Sequence, residues 1–302
     1  MATQASTGST VPQTAGALPG APVDALWRSL IRHPLGLVGV VGFAAMVLFS
    51  FVGPLIYRAN PYTVAMAVNM QPPSLAHLLG TDNLGRDQVI RLMVGGQSSL
   101  IVGITAAASS TVIGVVYGAI SGMLGGWVDV VLMRIVDVLR SIPALFLLIF
   151  FDSAFSPSAA LLVFLIAIVS WHGPSRLVRA EVLSLKERPY VEASHSLGSS
   201  KLHILWYHIL PNAIDVVVVS ATFMVADAIL LVAALSFLGL GIPPPAPNWG
   251  TMLSDSITYL AQDAWWLIYP PGLAILVVVI SINFVGDALR ESMDRRLLGR
   301  ST

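Results

Sequence analysis

Few side chains in this 302-residue sequence are spaced for catalysis or for metal binding. Cysteine is absent, which excludes disulfides, thiolate metal sites and cysteine nucleophiles. None of the six histidines lies in an HExxH or a similar ligand pattern. Ser170 and His172 could suggest an intramembrane serine hydrolase, but no flanking motif supports that chemistry. We therefore expect no catalytic residue and no metal site in this chain.

The segment LGTDNLGRD, residues 79–87, is dense in oxygen-bearing side chains. Oxygens such as those of Asp82, Asn83 and Asp87 can bind calcium, but the twelve-residue spacing of a calcium-binding loop is absent. A capped turn, supported by pairing of Asp87 with Arg91, is the preferred interpretation.

A polar segment at residues 190–212, YVEASHSLGSSKLHILWYHILPN, separates two long apolar runs. Pro189 is expected to break the preceding helix, and a short amphipathic helix is expected to start near Tyr190. Gly198 is placed to end that helix, because glycine commonly follows a helix C-terminus. A second helical stretch would then lead to Pro211, which is predicted to start the next apolar helix.

The short helix carries a candidate docking face. Val191, Ser194 and Leu197 recur at three-residue spacing and are predicted to share this face. Glu192 would then be an exposed anion, able to meet a cation or a helix terminus on a partner. The alternative is an ordinary solvated loop between two apolar helices.

The composition is that of a membrane protein with several spans. Hydrophobic residues make up 56% of the chain and charged residues only 11%, whereas soluble domains carry about 25% charged residues. Mean hydropathy is +0.80, and several charge-poor runs approach the ~20 residues that cross a bilayer. The formal net charge is zero, so there is no electrostatic case for binding nucleic acid. The predicted fold class is an all-α membrane protein.

Six apolar runs are long enough to be membrane spans. The third is less regular because it contains four charged residues, and the fifth contains Asp215 and Asp227. Residues 1–26 are rich in Ser, Thr, Ala, Gly and Pro and are predicted to be a flexible N-terminal tail, which leaves 27–302 as the membrane domain. The predicted spans are 34–57, 97–123, 128–150, 158–178, 213–238 and 265–287.

The basic residues predict the orientation of the chain. With the N-terminus inside, most of the 16 Lys and Arg residues fall in cytoplasmic segments, as the positive-inside rule requires. Both termini and the 190–212 segment would then be cytoplasmic. Residues 58–96 and 239–264 would form two long external segments, the second stiffened by a run of prolines.

The second predicted span contains a stripe of small residues. Gly114, Gly118 and Gly122 are spaced by four, so they lie on one face of a helix. Such stripes let membrane helices approach closely. We interpret this one as a packing face rather than a substrate contact.

The polar segment also carries a specific combination of residues. It resembles the EAA loop of ABC-importer permeases, in which a short cytoplasmic helix docks into a groove on an ATPase subunit. The triplet Glu-Ala-Ala of that family reads Glu-Ala-Ser here, a small change that should preserve docking. The positions that carry the resemblance, and that it implicates in coupling to the ATPase, are Glu192, Ala193, Ser194, Gly198, Leu210 and Pro211.

Three further segments occur in the order found in C-type permeases of dipeptide, oligopeptide and nickel ABC importers. LGTDNLGRD is similar to the segment ahead of their second span. LSFLGLGIPPPAPNWGTML, residues 235–253, is similar to their external segment after the fifth span. WWLIYPPGLAILVVVISINFVGDALRE, residues 265–291, is similar to their last span. The resemblance runs from Trp27 to Leu298 and does not cover the tail.

The sequence departs from the family pattern at two places. Val232 and Ala233 stand where the family often has a glutamate, so any substrate or partner contact made by that glutamate is missing here. Asp294, Arg295 and Arg296 stand where the last span is usually followed by Asp-Pro-Arg.

The resemblance implies a type I ABC importer permease fold, with six transmembrane helices and a cytoplasmic coupling helix, in a bacterial or archaeal cytoplasmic membrane. It implies a subunit that forms half of the pathway for di- or oligopeptides and has no ATPase activity of its own. The implied partners are a homologous second permease, two ATP-binding subunits that hold ATP and Mg, and an extracytoplasmic substrate-binding protein.

Residues outside the polar segment are also candidates for functional roles. Asp227 lies in mid-span, where a charge is costly, and could line the pathway and meet a peptide amine. Its alternative role is a carboxylate satisfied by a partner subunit or by a hydroxyl such as that of Thr222. The residues implied in the external gate or in contact with the binding protein are Asp82, Asn83, Arg86, Asp87 and Trp249.

Two alternatives to peptide import stay open at this stage. Within the same class, the substrate could be a nickel chelate or another small solute. Outside the class, the chain could be an ion-coupled secondary transporter, although such transporters normally show more mid-span carboxylates and an internal repeat.

Overall fold

The computed structural model describes residue 30, residues 33–155 and residues 157–298. The predicted tail, 1–26, lies outside these residues. Regular structure in the described part of the chain is helical, apart from one isolated bridge between Thr81 and Asp87. This agrees with the predicted all-α class.

The first apolar run forms α1 (Pro34–Phe51), followed by the short α2 (Gly53–Ile56). Pro34 occupies the first turn, where its missing N–H is no loss, and the His33 side chain caps the helix by accepting from the Gly36 amide. α1 packs along the last helix, α12 (Trp265–Leu298).

The longest helix, α3 (Gln88–Leu124), organises the rest of the bundle. It begins at Gln88, before the predicted start at residue 97, and its 37 residues extend about 55 Å at 1.5 Å per residue. Asp87 caps its start. Gly125, with φ +65°, ends it. We refer below to its two ends as the Asp87 end and the Leu124 end.

The third predicted span, 128–150, is not one helix. It consists of α4 (Gly126–Ser141) and α5 (Ala144–Ala154), which are separated at Ile142 and Pro143. Ile142 is extended, with φ −96° and ψ 124°, because the ring of a following proline disfavours the helical conformation.

The fourth apolar run is a bent pair of helices, α6 (Ala159–Ser170) and α7 (His172–Lys186), which meet at 43°. α7 lies on the glycine stripe of α3. A Cβ atom added to Gly118 would lie 2.2 Å from the Ser175 carbonyl oxygen, so only glycine permits this approach. The prediction that the stripe is a packing face is confirmed.

After α7 the chain forms α8 (Pro189–Ser196), then α9 (Lys201–Ile204), a π turn (Leu205–Ile209) and α10 (Leu210–Phe237). Residues 201–237 form one continuous apolar helix in spite of the π turn. α11 (Trp249–Ile257) then packs against α10 and α12.

In the described residues, four helices are long and apolar enough to cross a membrane, or five if α6 and α7 form one broken span. The prediction was six. The difference lies at the third span, where neither α4, with 16 residues, nor α5, with 11, is long enough alone.

Candidate functional site

The polar segment lies at the Leu124 end of the bundle and contains α8. Pro189 is the first residue of that helix, so the proline begins α8 as well as ending the preceding one. Gly198 has φ +87° and follows the C-cap Leu197, whose amide donates to the Ala193 carbonyl at 3.1 Å. The Ser194 and Ser199 hydroxyls, 3.0 Å apart, close the turn. The predicted short helix with a terminal glycine is present.

The predicted docking face of α8 is wrong in one respect. Val191 is only 4% exposed and packs inward on Val182 and Leu185 of α7, whereas Leu197 is 87% exposed. At about 100° per residue, positions 191 and 197 lie about 120° apart, so three-residue spacing does not keep them on one side. The outward residues of the triplet are Glu192 and Ala193, while Ser194 is half-buried.

A cavity of about 560 Å³ opens beside α8. Glu192 and His195 of α8 form one wall, and Lys186 and Lys201 from the neighbouring helices form others. These are the two lysines of the chain. The Lys186 ammonium donates to the Gly122 carbonyl at 3.4 Å, near the end of α3. Charges of both signs therefore surround a space next to the outward face of α8.

The Leu210–Pro211 pair forms the first turn of α10, where the sequence analysis placed the start of the next apolar helix, and the π turn joins α10 to the preceding α9 without a break. Pro211 cannot donate a backbone hydrogen bond, and its ring crowds the carbonyl four residues earlier. The π turn just before it accommodates this, with the Leu210 amide donating to the Leu205 carbonyl. Pro211 is exposed, whereas Ile209, two residues earlier, is fully buried.

An ion pair that the sequence analysis missed ties α4 to α7 near the same end. Arg179 donates from Nε and Nη2 to the two carboxylate oxygens of Asp129, and the Ser121 hydroxyl also donates to Asp129. The residues are far apart in sequence, so no spacing signal links them. Asp137 of α4 also lies 3.9 Å from Arg176 of α7.

At the Asp87 end, the LGTDNLGRD segment is an internal capped turn. Asp82 Oδ1 accepts from the Leu84 and Arg86 amides, both at 2.9 Å, and Oδ2 accepts from Arg86 Nε at 2.6 Å. Gly85 has φ +71°, and a Cβ atom there would lie 1.9 Å from the Ala65 carbonyl oxygen. The glycine is needed both for the conformation and for the close approach.

Asp87 uses both of its carboxylate oxygens within the chain. Oδ1 accepts from the amides of the first turn of α3, at 2.9 and 3.2 Å. Oδ2 lies 2.7 Å from the Tyr57 hydroxyl, which donates to it, and 2.9 Å from His77 Nδ1. Burial, reinforced by Asp87, raises the pKa of Tyr57 to about 12. The expected Asp87–Arg91 pair is absent, since Arg91 Nε lies 3.5 Å from Asp82.

Trp249, which the resemblance assigns to the external gate or to a contact with a binding protein, is fully buried within this chain. Its indole Nε1 donates to the Leu92 carbonyl at 3.0 Å, and its backbone amide donates to the Ser99 hydroxyl at 3.2 Å. Asn248 caps α11 with a reciprocal bond to Thr251. Trp249 therefore anchors α11 on α3.

The other residues assigned to the gate differ in how far they are buried. Asp82 and Asp87 are buried, and their carboxylates accept hydrogen bonds from groups of the same chain. Asn83 and Arg86 are half-buried and keep some exposure.

Asp227 lies in the middle of α10 and is exposed on the surface of the isolated chain. No Lys, Arg or His side chain in the described part of the chain lies within 4.0 Å of its carboxylate. The Thr222 hydroxyl, considered as its partner, instead donates to the Val218 carbonyl at 2.9 Å.

The sequence matches a known permease family over more than half of its length. Residues 114–299 match the family described as the binding-protein-dependent transport system inner membrane component. The chain belongs to this family. Residues 22–73 also match the N-terminal transmembrane domain of oligopeptide transport permease C. With its apolar helices, this membership makes the chain a multi-pass inner-membrane protein and a C-type permease component of an ABC transporter.

Relatives and one solved structure agree with this family membership. The oligopeptide transport system permease protein OppC of Bacillus subtilis is 37% identical over 276 residues, 90% of each chain. A protein of Brucella abortus, named as a peptide transport system permease protein, is 40% identical over 91% of this chain and 93% of its own. An inward-facing structure of the MetNI methionine ABC transporter shares the fold, with a TM-score of 0.55 at 21% identity, covering 67% of this chain and 96% of that one.

Proposed function

We propose that this chain is the permease subunit of an ATP-driven importer of di- and oligopeptides and forms half of the translocation pathway. The observation that carries the proposal is the outward face of α8, where Glu192, Ala193 and Leu197 are exposed although α8 is held firmly by the buried Val191. The peptide substrate is supported by the names of the relatives, which describe peptide and oligopeptide permeases.

The proposed mechanism follows from the way α8 packs against its neighbouring helices. α8 connects α7 to the continuous helix at 201–237, and the buried Val191, Ile204 and Ile209 pack all three elements together. A displacement of α8 is therefore passed to long, rigid helices rather than absorbed by a loop. Closure of two partner ATPase subunits, which would bind the ATP and Mg, moves α8 and alternates the access of the pathway.

The proposed assembly contains a homologous second permease, two ATP-binding subunits and an extracytoplasmic substrate-binding protein. The chain crosses the membrane six times, with α4 and α5 together completing the third crossing. Both termini and α8 face the cytoplasm. The excess of basic residues in the segments assigned to that side supports this orientation.

Asp227 is proposed to line the pathway and to meet the amine of the peptide. An exposed carboxylate at mid-span is costly against lipid, so it is best placed facing water or a second subunit. In reconstituted complexes, Asp227→Asn should raise KM for peptide uptake several-fold while ATPase assembly is kept. Thr222→Val is the control on the same helix. An unchanged KM in Asp227→Asn would remove this residue from the pathway.

The test of the proposed function is Glu192→Arg in the full complex reconstituted into liposomes. Reversing this exposed charge should reduce ATP-dependent peptide uptake at least tenfold while the chain still inserts, because the side chain makes no hydrogen bond or ion pair among the described residues. Ser184→Arg places the same arginine side chain at an exposed site on α7 and should have little effect.

The outcomes separate the remaining possibilities. Uptake that is equally strong in Glu192→Arg, or that proceeds without ATP, would contradict coupling through α8 and would favour an ion-coupled transporter. ATP-dependent uptake of a nickel chelate but not of peptides would keep the importer and change the substrate.

A further inference from the structure

A small polar pocket lies at the Asp87 end, where the start of α3 meets α11 and the start of α12. The space within it that a water-sized sphere can occupy is about 10 Å³, close to the roughly 10–15 Å³ that one water molecule requires. A carboxylate, an amine or a hydrated ion is too large. Size therefore limits the occupant to one very small molecule or a bare ion.

Two residues that line this pocket each carry a buried polar atom with no hydrogen-bond partner among the described residues. The atoms are Nη1 of Arg91 and Oε1 of Gln88. Each of the two residues is about 5% exposed. They are three residues apart in α3, so their side chains are neighbours on one face of the helix. One atom is a donor and the other an acceptor, and leaving both unpaired would be costly.

The charges around the pocket favour a neutral occupant. Asp82 and Asp255 contribute two carboxylates, which Arg91 and Arg86 balance. A cation would face the Arg91 guanidinium, and an anion would face the two carboxylates. The Ser256 hydroxyl on the wall is already within hydrogen-bonding distance of the Met252 and Leu267 carbonyls, so it does not serve the pocket as a donor.

We propose that this pocket binds one ordered water molecule, which accepts a hydrogen bond from Arg91 Nη1 and donates one to Gln88 Oε1. Its second proton is directed to a carboxylate on the wall, that of Asp82 or Asp255. The water completes the polar contacts of Arg91, the residue that connects α3 to the turn at residues 79–87. The interface between α3 and α11 therefore contains a bridging water at this pocket, whereas Trp249 nearby bonds to α3 without a water, through the Leu92 carbonyl.

The first test is a cryo-EM or crystal structure of the complete transporter at a resolution that shows ordered water. A spherical peak within hydrogen-bonding distance of both Arg91 Nη1 and Gln88 Oε1 is expected. A map that shows other buried waters but no peak here would overturn the proposal, as would a side-chain arrangement in which the two atoms bond each other.

The second test compares thermal unfolding of variants of the same complex. Gln88→Met keeps the length of the side chain but removes the acceptor. If the water is bound, Gln88→Met should lower Tm by several degrees, because the water and Arg91 lose a partner. If the pocket is dry, the same change removes an unpaired polar atom and Tm should rise.

Ser236→Ala is the matched control for a buried polar atom without room for water. The Ser236 hydroxyl also has no partner among the described residues. A Cβ atom on Gly241 would lie 2.6 Å from it, which shows how closely the backbone packs there. Tm should stay constant or rise in this variant. The change in Tm caused by Gln88→Met should also be equal in sodium chloride, choline chloride and sodium gluconate. A dependence on sodium or on chloride would indicate that an ion, not water, occupies the pocket.

Discussion

The two ends of α3 use polar residues in opposite ways. At the Asp87 end, the carboxylates of Asp82 and Asp87 are buried and bonded to their own chain. At the Leu124 end, Glu192 is exposed, and the neighbouring Leu197 presents an apolar side chain to solvent. The LGTDNLGRD segment, called the closed motif below, pairs its carboxylates within the chain. The α8 segment leaves Glu192 and Leu197 available to a partner.

The difference shows that a dense motif in a sequence does not by itself indicate a contact surface. The LGTDNLGRD segment has more charged groups than α8, yet it uses them to shape a turn around two glycines with positive φ, Gly80 and Gly85. The α8 segment is held by a few buried apolar side chains, which leaves its polar side chains unused within the chain.

The sharpest test of this contrast exchanges one large side chain at each end for alanine. Trp249→Ala should cost about 3–5 kcal/mol of folding free energy, because a fully buried indole and its hydrogen bond are lost. Leu197→Ala should change stability by less than about 0.5 kcal/mol, since the side chain is 87% exposed. Thermal unfolding in detergent measures both.

Peptide uptake should rank the same two variants differently. Leu197→Ala should impair ATP-dependent uptake although the protein stays folded, whereas the loss in Trp249→Ala should follow the amount of folded protein. If Leu197→Ala transports normally, the outward face of α8 is not a docking surface.

A second prediction concerns the closed motif alone. Asp87→Ala should destabilise the protein by about 2–3 kcal/mol, because the cap of α3 is lost and the Tyr57 hydroxyl loses its acceptor. Asp87→Asn should recover part of this, since asparagine is an equally good cap. Chemical or thermal unfolding is the measurement, and equal loss in the two variants would show that the carboxylate charge, not the cap, matters most.

Local signals allowed much of the fold to be predicted from the sequence. The long apolar helices, the start of α8 at Pro189 and its end at Gly198 all follow from residues next to one another. The break at Pro143 was equally local, but the apolar run around it concealed the signal. The start of α3 was placed too late because its first turns are buried by the loop, not by lipid.

The details of the site depend on contacts that a single sequence does not contain. Whether Val191 or Leu197 faces outward is decided by the packing of α8 on α7 and the π turn, which residue spacing within α8 does not define. Trp249 resembles an interfacial tryptophan until α3 is placed beside it. The partners of Asp87, Tyr57 and His77, come from a loop with no regular spacing.

The smallest expected effect tests charge at the edge of the closed motif. Burial raises the pKa of Asp255, which Asp82 reinforces while Arg91 and Arg86 oppose it. Because the folded state then holds this proton more tightly than the unfolded state, stability should fall as pH rises from about 4 through the raised pKa. Asp255→Asn should flatten the unfolding profile over this range, with Asp263→Asn as a control on the same side.

The direction of the change in Tm at neutral pH in Asp255→Asn distinguishes two roles of Asp255 at the Asp87 end. If Asp255→Asn flattens the pH dependence of Tm and keeps or raises Tm at neutral pH, the ionised Asp255 carboxylate destabilises the folded state. A lower Tm at neutral pH would mean that Asp255 stabilises Arg91 as a counter-ion. The closed motif would then extend from the turn to α11 through charge, and the comparison with α8, whose Glu192 has no such partner among the described residues, would become sharper still.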